Sequence, residues 1–449
     1  NSVADGKTPN HAVATVTDIN NRPIANTQVK WGVDAPATLK STQTTTNASG
    51  QVTTDFTSTT ASTVMLTATA GDKSASQQGH FISNSASNVI DTMVVTKDGS
   101  AANGTAANTV NITVKDGNGA PVSNADVSLS ADKGTVIFGA ALKAKAAKAA
   151  KTFQTDAQGA LTVAFTDTVA ETTQLTATLE NGNTKTATAN FVADSASAKV
   201  SDLTVTSGAV ANGTATNQAT VTVVDANNNP LSGVDVAWSQ DGSAVFGTSA
   251  KTDASGKTTV KFTDTQAQTV NVTATLANGS TLSKPSSFVA DSSSAKVSDL
   301  TVTSGAIANG TAANQATVTV MDANNNPLSG VDVTWTQDGS AVFGTSAKTD
   351  ANGQTTVKFT DTKAQTVNVT ATLASGSTLS KPSTFVADSN SAKVSDLTIT
   401  SGAVANGTAT NQATVTVVDA NSNPLSGVDV AWTQDGSAVF GASAKTDAN

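Results

Sequence analysis

The sequence contains no cysteine, no tyrosine and a single arginine, and charged residues make up only 13% of the chain, with a formal net charge of -9. Without cysteine there can be no disulfide, so stability must come from hydrophobic packing. Without a basic surface there is no electrostatic basis for binding nucleic acid. No apolar run is long enough to cross a membrane, and we predict no membrane insertion by this segment.

Catalytic groups are equally scarce. The only histidines are His11 and His80, and no His or Cys spacing supplies a transition-metal site. Serine and threonine are abundant, but a nucleophile needs a base within hydrogen-bond reach. Most aspartates stand beside Gly or Asn in turns, where they are solvated. We therefore predict no enzyme, no catalytic residues and no cofactor.

What the chain does contain is one unit, repeated. The string NGTATNQATVTV begins at Asn212 and at Asn406, and a copy with one changed residue begins at Asn309, so both steps are 97 residues. Between residues 194–290 and 291–387 only eleven positions differ. This near-identity favours recent duplication, in which copy number mattered more than a unique site.

Within each repeat, apolar and polar residues alternate. Val270, Val272 and Ala274 are separated by polar residues, and turn signals such as Asn278-Gly279 divide the segments. About seven such strands in about 100 residues is the count of an immunoglobulin-like sandwich. We predict an all-β chain of tandem immunoglobulin-like β-sandwiches, with about seven antiparallel strands each, arranged as an elongated rod.

The repeat boundaries divide the chain into five segments. We expect the first repeat to be partial and to lack its opening strand, the second to carry a Lys/Ala-rich insert, and the fifth to stop before its last strands. The second, third and fourth repeats should be complete sandwiches. The five segments are residues 1–83, 84–193, 194–290, 291–387 and 388–449.

Aromatic residues recur at fixed repeat positions. All four tryptophans occupy the same one, with Leu129 in the second repeat, and each shares a strand face with valines, so we predict core packing; sugar stacking is the alternative. Phe262 and Phe359 are assigned to the core in the same way. The tryptophans are Trp31, Trp238, Trp335 and Trp432.

A segment that we call the aspartate turn resembles a calcium loop. It reads DANNNP at 225–230 and 322–327 and DANSNP at 419–424, with looser versions at 116–121 and 18–23. An EF-hand loop needs Gly at position six and Glu at position twelve; this chain has Pro230 and Val236 there, so that loop is excluded. We predict a polar turn and no metal site. Calcium between repeats is the alternative, with Asp194, Asp202, Asp291 and Asp299 as ligands.

The insert in the second repeat, ALKAKAAKAAK at 141–151, is rich in alanine and lysine. A short helix is possible there, although helices of this length are marginal in isolation. We favour a solvated loop. The alternative is a basic contact for an anionic polysaccharide or lipid surface through Lys143, Lys145, Lys148 and Lys151.

The run NGTATNQATVTVVDANNNPLSGVDVAW, followed by TDASGKTTVKFTDT, resembles the bacterial Ig-like domain, group 1, of the intimin/invasin (inverse autotransporter) adhesins. The motifs occur in order and three times over. Gly119-Ala120-Pro121 and Leu129 in the second repeat and Arg22-Pro23 in the first depart from the pattern. The resemblance implies a Gram-negative outer-membrane adhesin whose anchor and tip are not in this chain.

On this basis we expect a stalk segment that projects a distal adhesive tip from the bacterial surface. The partner of the tip would be a host receptor or glycan. In the alternative, the Ig-like domains bind a host glycan or protein directly, or self-associate through exposed edge strands, as an adhesion or biofilm module. From strand rise, each repeat should span roughly 30–40 Å.

Overall fold

We analysed a computed structural model of the chain, which describes residues 1–139 and 150–448. These residues form β-strands and four short 3-10 turns, at Ser85–Ser87, Ser195–Ser197, Ser292–Ser294 and Ser389–Ser391. None of the helical segments described is long and apolar enough to span a bilayer. The chain divides into two compact units: the first contains Asn1–Ser201, Thr222–Asp235 and Lys251–Lys257, and the second contains the remaining residues.

The first unit contains the first repeat. Its seven strands form two sheets, in the orders β1-β7-β6-β3 and β2-β5-β4. Phe56 and Phe81 meet edge to face between the sheets, with ring centroids 5.6 Å apart. The strands are β1 (Ser2–Val3), β2 (Asn10–Thr15), β3 (Lys30–Val33), β4 (Thr38–Thr42), β5 (Gln51–Thr57), β6 (Thr63–Ala70) and β7 (Lys73–Ile82).

The described residues of the second repeat, which also lies in the first unit, form nine strands. They are β8 (Val89–Lys97), β9 (Ser100–Ala101), β10 (Asn108–Lys115), β11 (Asp126–Ala131), β12 (Ile137–Phe138), β13 (Lys151–Gln154), β14 (Ala160–Thr166), β15 (Thr172–Leu179) and β16 (Thr184–Val192). The two sheets have the orders β12-β14-β10-β8 and β13-β11-β15-β16-β9.

The third repeat contributes strands to both units. They are β17 (Lys199–Val205), β18 (Ala209–Val210), β19 (Asn217–Val224), β20 (Ala237–Ser239), β21 (Val245–Phe246), β22 (Lys257–Thr263), β23 (Thr269–Thr275) and β24 (Thr281–Val289). In the second unit, β18, β24, β23 and β20 form one sheet in that order.

The fourth repeat lies in the second unit and has eight strands. They are β25 (Lys296–Val302), β26 (Ala306–Ile307), β27 (Ala313–Met321), β28 (Thr334–Gln337), β29 (Val342–Phe343), β30 (Gln354–Thr360), β31 (Thr366–Thr372) and β32 (Thr378–Val386). Its sheets have the orders β25-β27-β30-β29 and β26-β32-β31-β28. The fifth repeat forms a two-stranded sheet from β33 (Lys393–Ile399) and β34 (Ala413–Val418).

The alternating residues decide which side chains enter the core. In the fourth repeat, Val318 and Phe359 from one sheet pack against Val367, Val369 and Phe385 from the other, and all five are buried. Polar residues between them face solvent, because successive side chains of a strand point to opposite faces. The predicted fold class, all-β with tandem immunoglobulin-like sandwiches, is confirmed.

One predicted strand is shorter than expected. The alternation of Val234, Val236 and Trp238 predicts a continuous strand, but pairing begins only at Ala237. In the fourth repeat, Val331 stands at the position of Val234. Its backbone N–H donates to the hydroxyl of Thr349 at 2.9 Å. A side chain therefore takes the place of a ladder partner there, and the strand starts late.

Candidate functional site at the joints between repeats

The aspartate turn folds around its own carboxylate. In the third repeat the Asp225 side chain is fully buried, and its Oδ1 accepts hydrogen bonds from the backbone N–H groups of Asn227 and Asn229, both at 2.9 Å. Asn228, between them, has a φ of 69°, a left-handed conformation that Asn tolerates better than most residues. Pro230 then closes the turn by pairing with the end of the preceding strand. The turn is thus held from inside.

The asparagine side chains of this turn reach the preceding repeat. Asn229 Oδ1 accepts from the N–H of Ala170 at 2.8 Å, and Asn229 Nδ2 donates to the carbonyl of Thr168 at 3.0 Å. Asn227 Nδ2 donates to the carbonyl of Ala102 at 2.9 Å. All three partners are main-chain atoms of the second repeat, so the two asparagines join the third repeat to the second.

The aspartate also holds the linker between these repeats. Asp225 Oδ2 accepts from the N–H of Asp194 at 3.0 Å and from Asn229 Nδ2 at 2.8 Å. Burial of Asp225 opposes its ionisation, but the hydrogen bonds from Asn229, Asp194 and Asn227 outweigh burial and hold its pKa below the ordinary value. The ionised carboxylate therefore organises the turn and the linker together.

The same contacts recur at the next two joints. Between the third and fourth repeats, Asn326 accepts from Ala267 N–H at 2.7 Å and donates to the Thr265 carbonyl at 2.9 Å, while Asn324 donates to the Ala211 carbonyl at 2.9 Å. Between the fourth and fifth repeats the corresponding bonds join Asn423 to Ala364 and Thr362, and Asn421 to Ala308. The joint is thus a repeated structural element.

Apolar side chains pack at the joint between the third and fourth repeats. Val320, Leu328 and Leu373 are buried together at one end of the fourth repeat, and Ala290 and Ala295 from the adjoining linker pack against this cluster. These residues flank the aspartate turn at 322–327 and partly shield its hydrogen bonds from water. A hydrogen bond shielded from water contributes more to stability than one exposed to it.

The joint between the first and second repeats departs from this pattern. Here a single asparagine, Asn118, donates from Nδ2 to the Ala4 carbonyl at 3.0 Å and to the Thr59 carbonyl at 3.3 Å. Ala120 occupies the position of Asn229, and Gly119 that of Asn228. An alanine side chain can neither donate nor accept, so this joint has one linking asparagine instead of two.

The aspartates considered as calcium ligands have other partners. Asp194 and Asp291 cap the 3-10 turns that follow them, accepting from the N–H groups of Ala196 and Ser293. Asp202 and Asp299 are exposed on strands, and Asp299 lies 3.9 Å from the ammonium of Lys381. Over the described ranges, no three His, Cys, Asp or Glu side chains form a group able to hold a metal ion.

The four tryptophans differ in burial. Trp31 is buried, whereas Trp238, Trp335 and Trp432 are half-buried. The indole N–H of Trp335 donates to the hydroxyl of Ser346 at 3.2 Å, and its ring centroid lies 6.4 Å from that of Phe343. Trp335 therefore has an apolar side against the core and a polar edge bonded to a serine hydroxyl.

Phe262 and Phe359 are deeply buried. Of the insert lysines, Lys151 donates to the carbonyl of Phe138 at 3.2 Å, and its ammonium lies 5.3 Å from the ring centroid of Phe153. Lys143, Lys145 and Lys148 lie outside the described residues.

The linking asparagines are the functional residues that sequence reasoning missed. Only Asn228 is required by the backbone of the turn, since only it has positive φ. Asn227 and Asn229 flank it in a turn where many polar residues would serve. Their return at 324 and 326, and at 421 and 423, was the available signal.

This arrangement of repeated sandwiches and joints defines a tandem immunoglobulin-like protein. The chain belongs to the bacterial Ig-like domain (group 1) family, which matches residues 1–82, 90–192, 200–289, 297–386 and 394–449. The resemblance drawn from the sequence is thereby confirmed.

The chain is similar to an adhesin of known name and to several solved bacterial proteins. The chain is 29% identical over 458 residues to the inverse autotransporter adhesin YeeJ of Escherichia coli K12, covering 97% of this chain but only 19% of that protein. Among solved structures, invasin, a bacterial integrin-binding protein, is 19% identical with a TM-score of 0.42, over 88% of this chain and 78% of that one. Yersinia pseudotuberculosis InvD is 16% identical with a TM-score of 0.43, over 67% and 97%.

Proposed function

We propose that this chain is a spacer segment of a bacterial surface adhesin, a stalk that holds an adhesive region away from the cell. The observation that carries the proposal is the repeated joint: two asparagines and a buried aspartate make the same contacts at three successive joints. A spacer must transmit orientation from one domain to the next, and a joint with fixed contacts does so better than a free linker.

The adhesin assignment rests on the family and on the similarity to an inverse autotransporter adhesin. In this proposal the chain has no catalytic role and resides at the bacterial surface, with the whole protein anchored in the outer membrane. Contact with a host receptor or glycan is made by another part of that protein. Such a division of roles agrees with near-identical repeats, because selection for reach favours copy number over a unique site.

The proposal can be tested with the chain alone. We expect no saturable binding of the purified chain to host cells or glycans, and a narrow distribution of distances between dyes attached to the third and fourth repeats. The chain has no native cysteine, so engineered pairs can be labelled without background. Replacing Asn324 and Asn326 by alanine should broaden that distribution.

Saturable binding of the unmodified chain would instead favour a direct binding module. Concentration-dependent association of the chain with itself would favour a self-associating one. A distance distribution already as broad as that of the double variant would contradict the spacer role.

A further inference from the structure

Beyond the joints, one buried carboxylate differs between repeats in its partners. In the third repeat, Asp264 accepts from Ser243 Oγ at 2.7 Å, from Gln268 Nε2 at 2.8 Å, and from the N–H groups of Thr265 and Gln266. Burial opposes ionisation of Asp264, but these donors outweigh it and hold its pKa below the ordinary value. The amide of Gln268 thus supplies the donor for the second carboxylate oxygen.

The fourth repeat has the same arrangement. Gln365 Nε2 donates to Asp361 Oδ2 at 2.8 Å, and Ser340 Oγ donates to Asp361 Oδ1 at 2.8 Å. In both repeats, a glutamine four residues after the aspartate satisfies the buried oxygen.

The second repeat has a carboxylate at the position where the third and fourth repeats have the glutamine amide. Glu171 occupies the position of Gln268, and Asp167 that of Asp264. Asp167 is only 1% exposed, and its Oδ1 accepts from the N–H groups of Thr168 and Val169. Its Oδ2 is buried and has no hydrogen-bond partner among the described residues. A buried polar oxygen without a partner is costly unless a hydrogen-bond donor or a cation contacts it.

Glu171, at the position whose amide meets Asp264 in the third repeat, offers carboxylate oxygens suited to a hard cation. Glu171 is half-buried, and its Oε1 accepts from the hydroxyl of Thr135 at 3.1 Å. We propose that Asp167, Glu171 and Thr135 bind a divalent cation of the calcium class, with water completing the coordination. Calcium prefers oxygen ligands and tolerates irregular geometry. Two carboxylates make a weak site, with a dissociation constant on the order of 0.1–1 mM, as in extracellular modules.

This site adjoins a joint. Between Asp167 and Glu171 in the chain lie Thr168, whose carbonyl accepts from Asn229, and Ala170, whose N–H donates to Asn229. A cation bound to both carboxylates would order residues 167–171, which form hydrogen bonds with Asn229 of the third repeat. Calcium is therefore expected to slow hydrogen exchange in residues 167–171.

The full chain offers a matched pair of variants. Glu171→Gln gives the second repeat the aspartate–glutamine pair found in the third and fourth, and Gln268→Glu gives the third repeat the carboxylate pair of the second. Calcium chloride is titrated by calorimetry, and bound ions are counted by native mass spectrometry. We expect Glu171→Gln to weaken the site at least about tenfold, because one of its two charged ligands is lost. Gln268→Glu should add one bound ion per chain.

The proposal is overturned if the unmodified chain and Glu171→Gln bind calcium equally up to about 5 mM, well above the expected dissociation constant. If Glu171→Gln does not fold, the gain or absence of an ion in Gln268→Glu decides. None of these outcomes bears on the spacer role, which rests on the asparagine contacts.

Discussion

The joint between the first and second repeats and the joint between the third and fourth perform the same connection with different side chains. At the later joint, Asn324 and Asn326 divide the contacts between them, and Asn326 both donates and accepts. At the earlier joint, Asn118 alone donates to two carbonyls. The fold of the repeats is alike, so the difference lies in the joint.

We expect the rigidity of a joint to depend on few residues. A side-chain amide that donates and accepts at once fixes an orientation, whereas a donor shared between two carbonyls fixes it less. Each such bond contributes about 1 kcal/mol net to stability. Replacing one linking Asn by Ala should therefore lower the stability of a joint by a measurable amount. We expect the first joint to be the more flexible of the two.

The largest effect should come from removing the aspartate that organises the later joint. Asp322 is fully buried and accepts from Asn324 N–H, Asn326 N–H, Asn326 Nδ2 and Asp291 N–H. Asp322→Ala leaves these donors unpaired, and we expect a loss of about 3 kcal/mol in the free energy of unfolding, measured by denaturant titration.

The matched control is Asp332→Ala, because the Asp332 side chain is 81% exposed in its ion pair with Lys348. That change should alter stability by less than about 0.5 kcal/mol. Equal losses in the two variants would show that Asp322 does not organise the joint.

A smaller effect is expected when the later joint is made to resemble the earlier one. Asn326→Ala removes the bonds to Ala267 and Thr265 and reproduces the alanine at position 120. We expect a loss of about 1–2 kcal/mol and faster hydrogen exchange at the Ala267 amide, followed by mass spectrometry. Asn352→Ser is the control, because Ser255 already stands at that position in the third repeat. Unchanged exchange at Ala267 would contradict the assigned contact.

The smallest expected effect is the loss of stability at acidic pH. Burial opposes ionisation of Asp322, but its hydrogen bonds outweigh burial and lower its pKa in the folded state. Stability from the ionised form is thus fully present above the unfolded value of about 4 and is lost as pH falls through the folded value. Unfolding free energy should be flat from about pH 7 to 5 and fall below about pH 4.

Other carboxylates with lowered pKa add to this slope, so the contribution of one joint must be isolated. Asp322→Asn, which cannot ionise, should show a shallower fall between about pH 4 and 3 than the unmodified chain. An identical slope in both proteins would mean that this aspartate is not coupled to folding.

The fold follows from sequence because its signal is local. Alternation over Val270, Val272 and Ala274 predicts which face enters the core, and β23 has that register. The half-burial of Trp238 was harder to predict from the sequence. It depends on Phe246, a residue of another strand whose ring centroid lies 6.4 Å from that of Trp238. Strand patterns state which way a side chain points but not how completely its neighbours cover it.

The joint could be predicted only in part. The DANNNP string marks a turn, and the positive φ of Asn228 accords with that interpretation. The atoms that Asn229 meets, at Thr168 and Ala170, are about 60 residues earlier in the chain, and sequence spacing alone does not bring them within reach. The unpartnered oxygen of Asp167 is a still subtler case, because one glutamate among many polar residues carries no pattern of its own.

In the preceding repeat, the partners of the linking asparagines are all backbone carbonyls and amide N–H groups. Every residue presents these groups whatever its side chain, so one repeat can accept another without matching its sequence. Recombination could then insert, delete or reorder repeats and leave each new junction functional. The length of the protein could change by whole repeats over short evolutionary times, with no compensating substitution at the boundary.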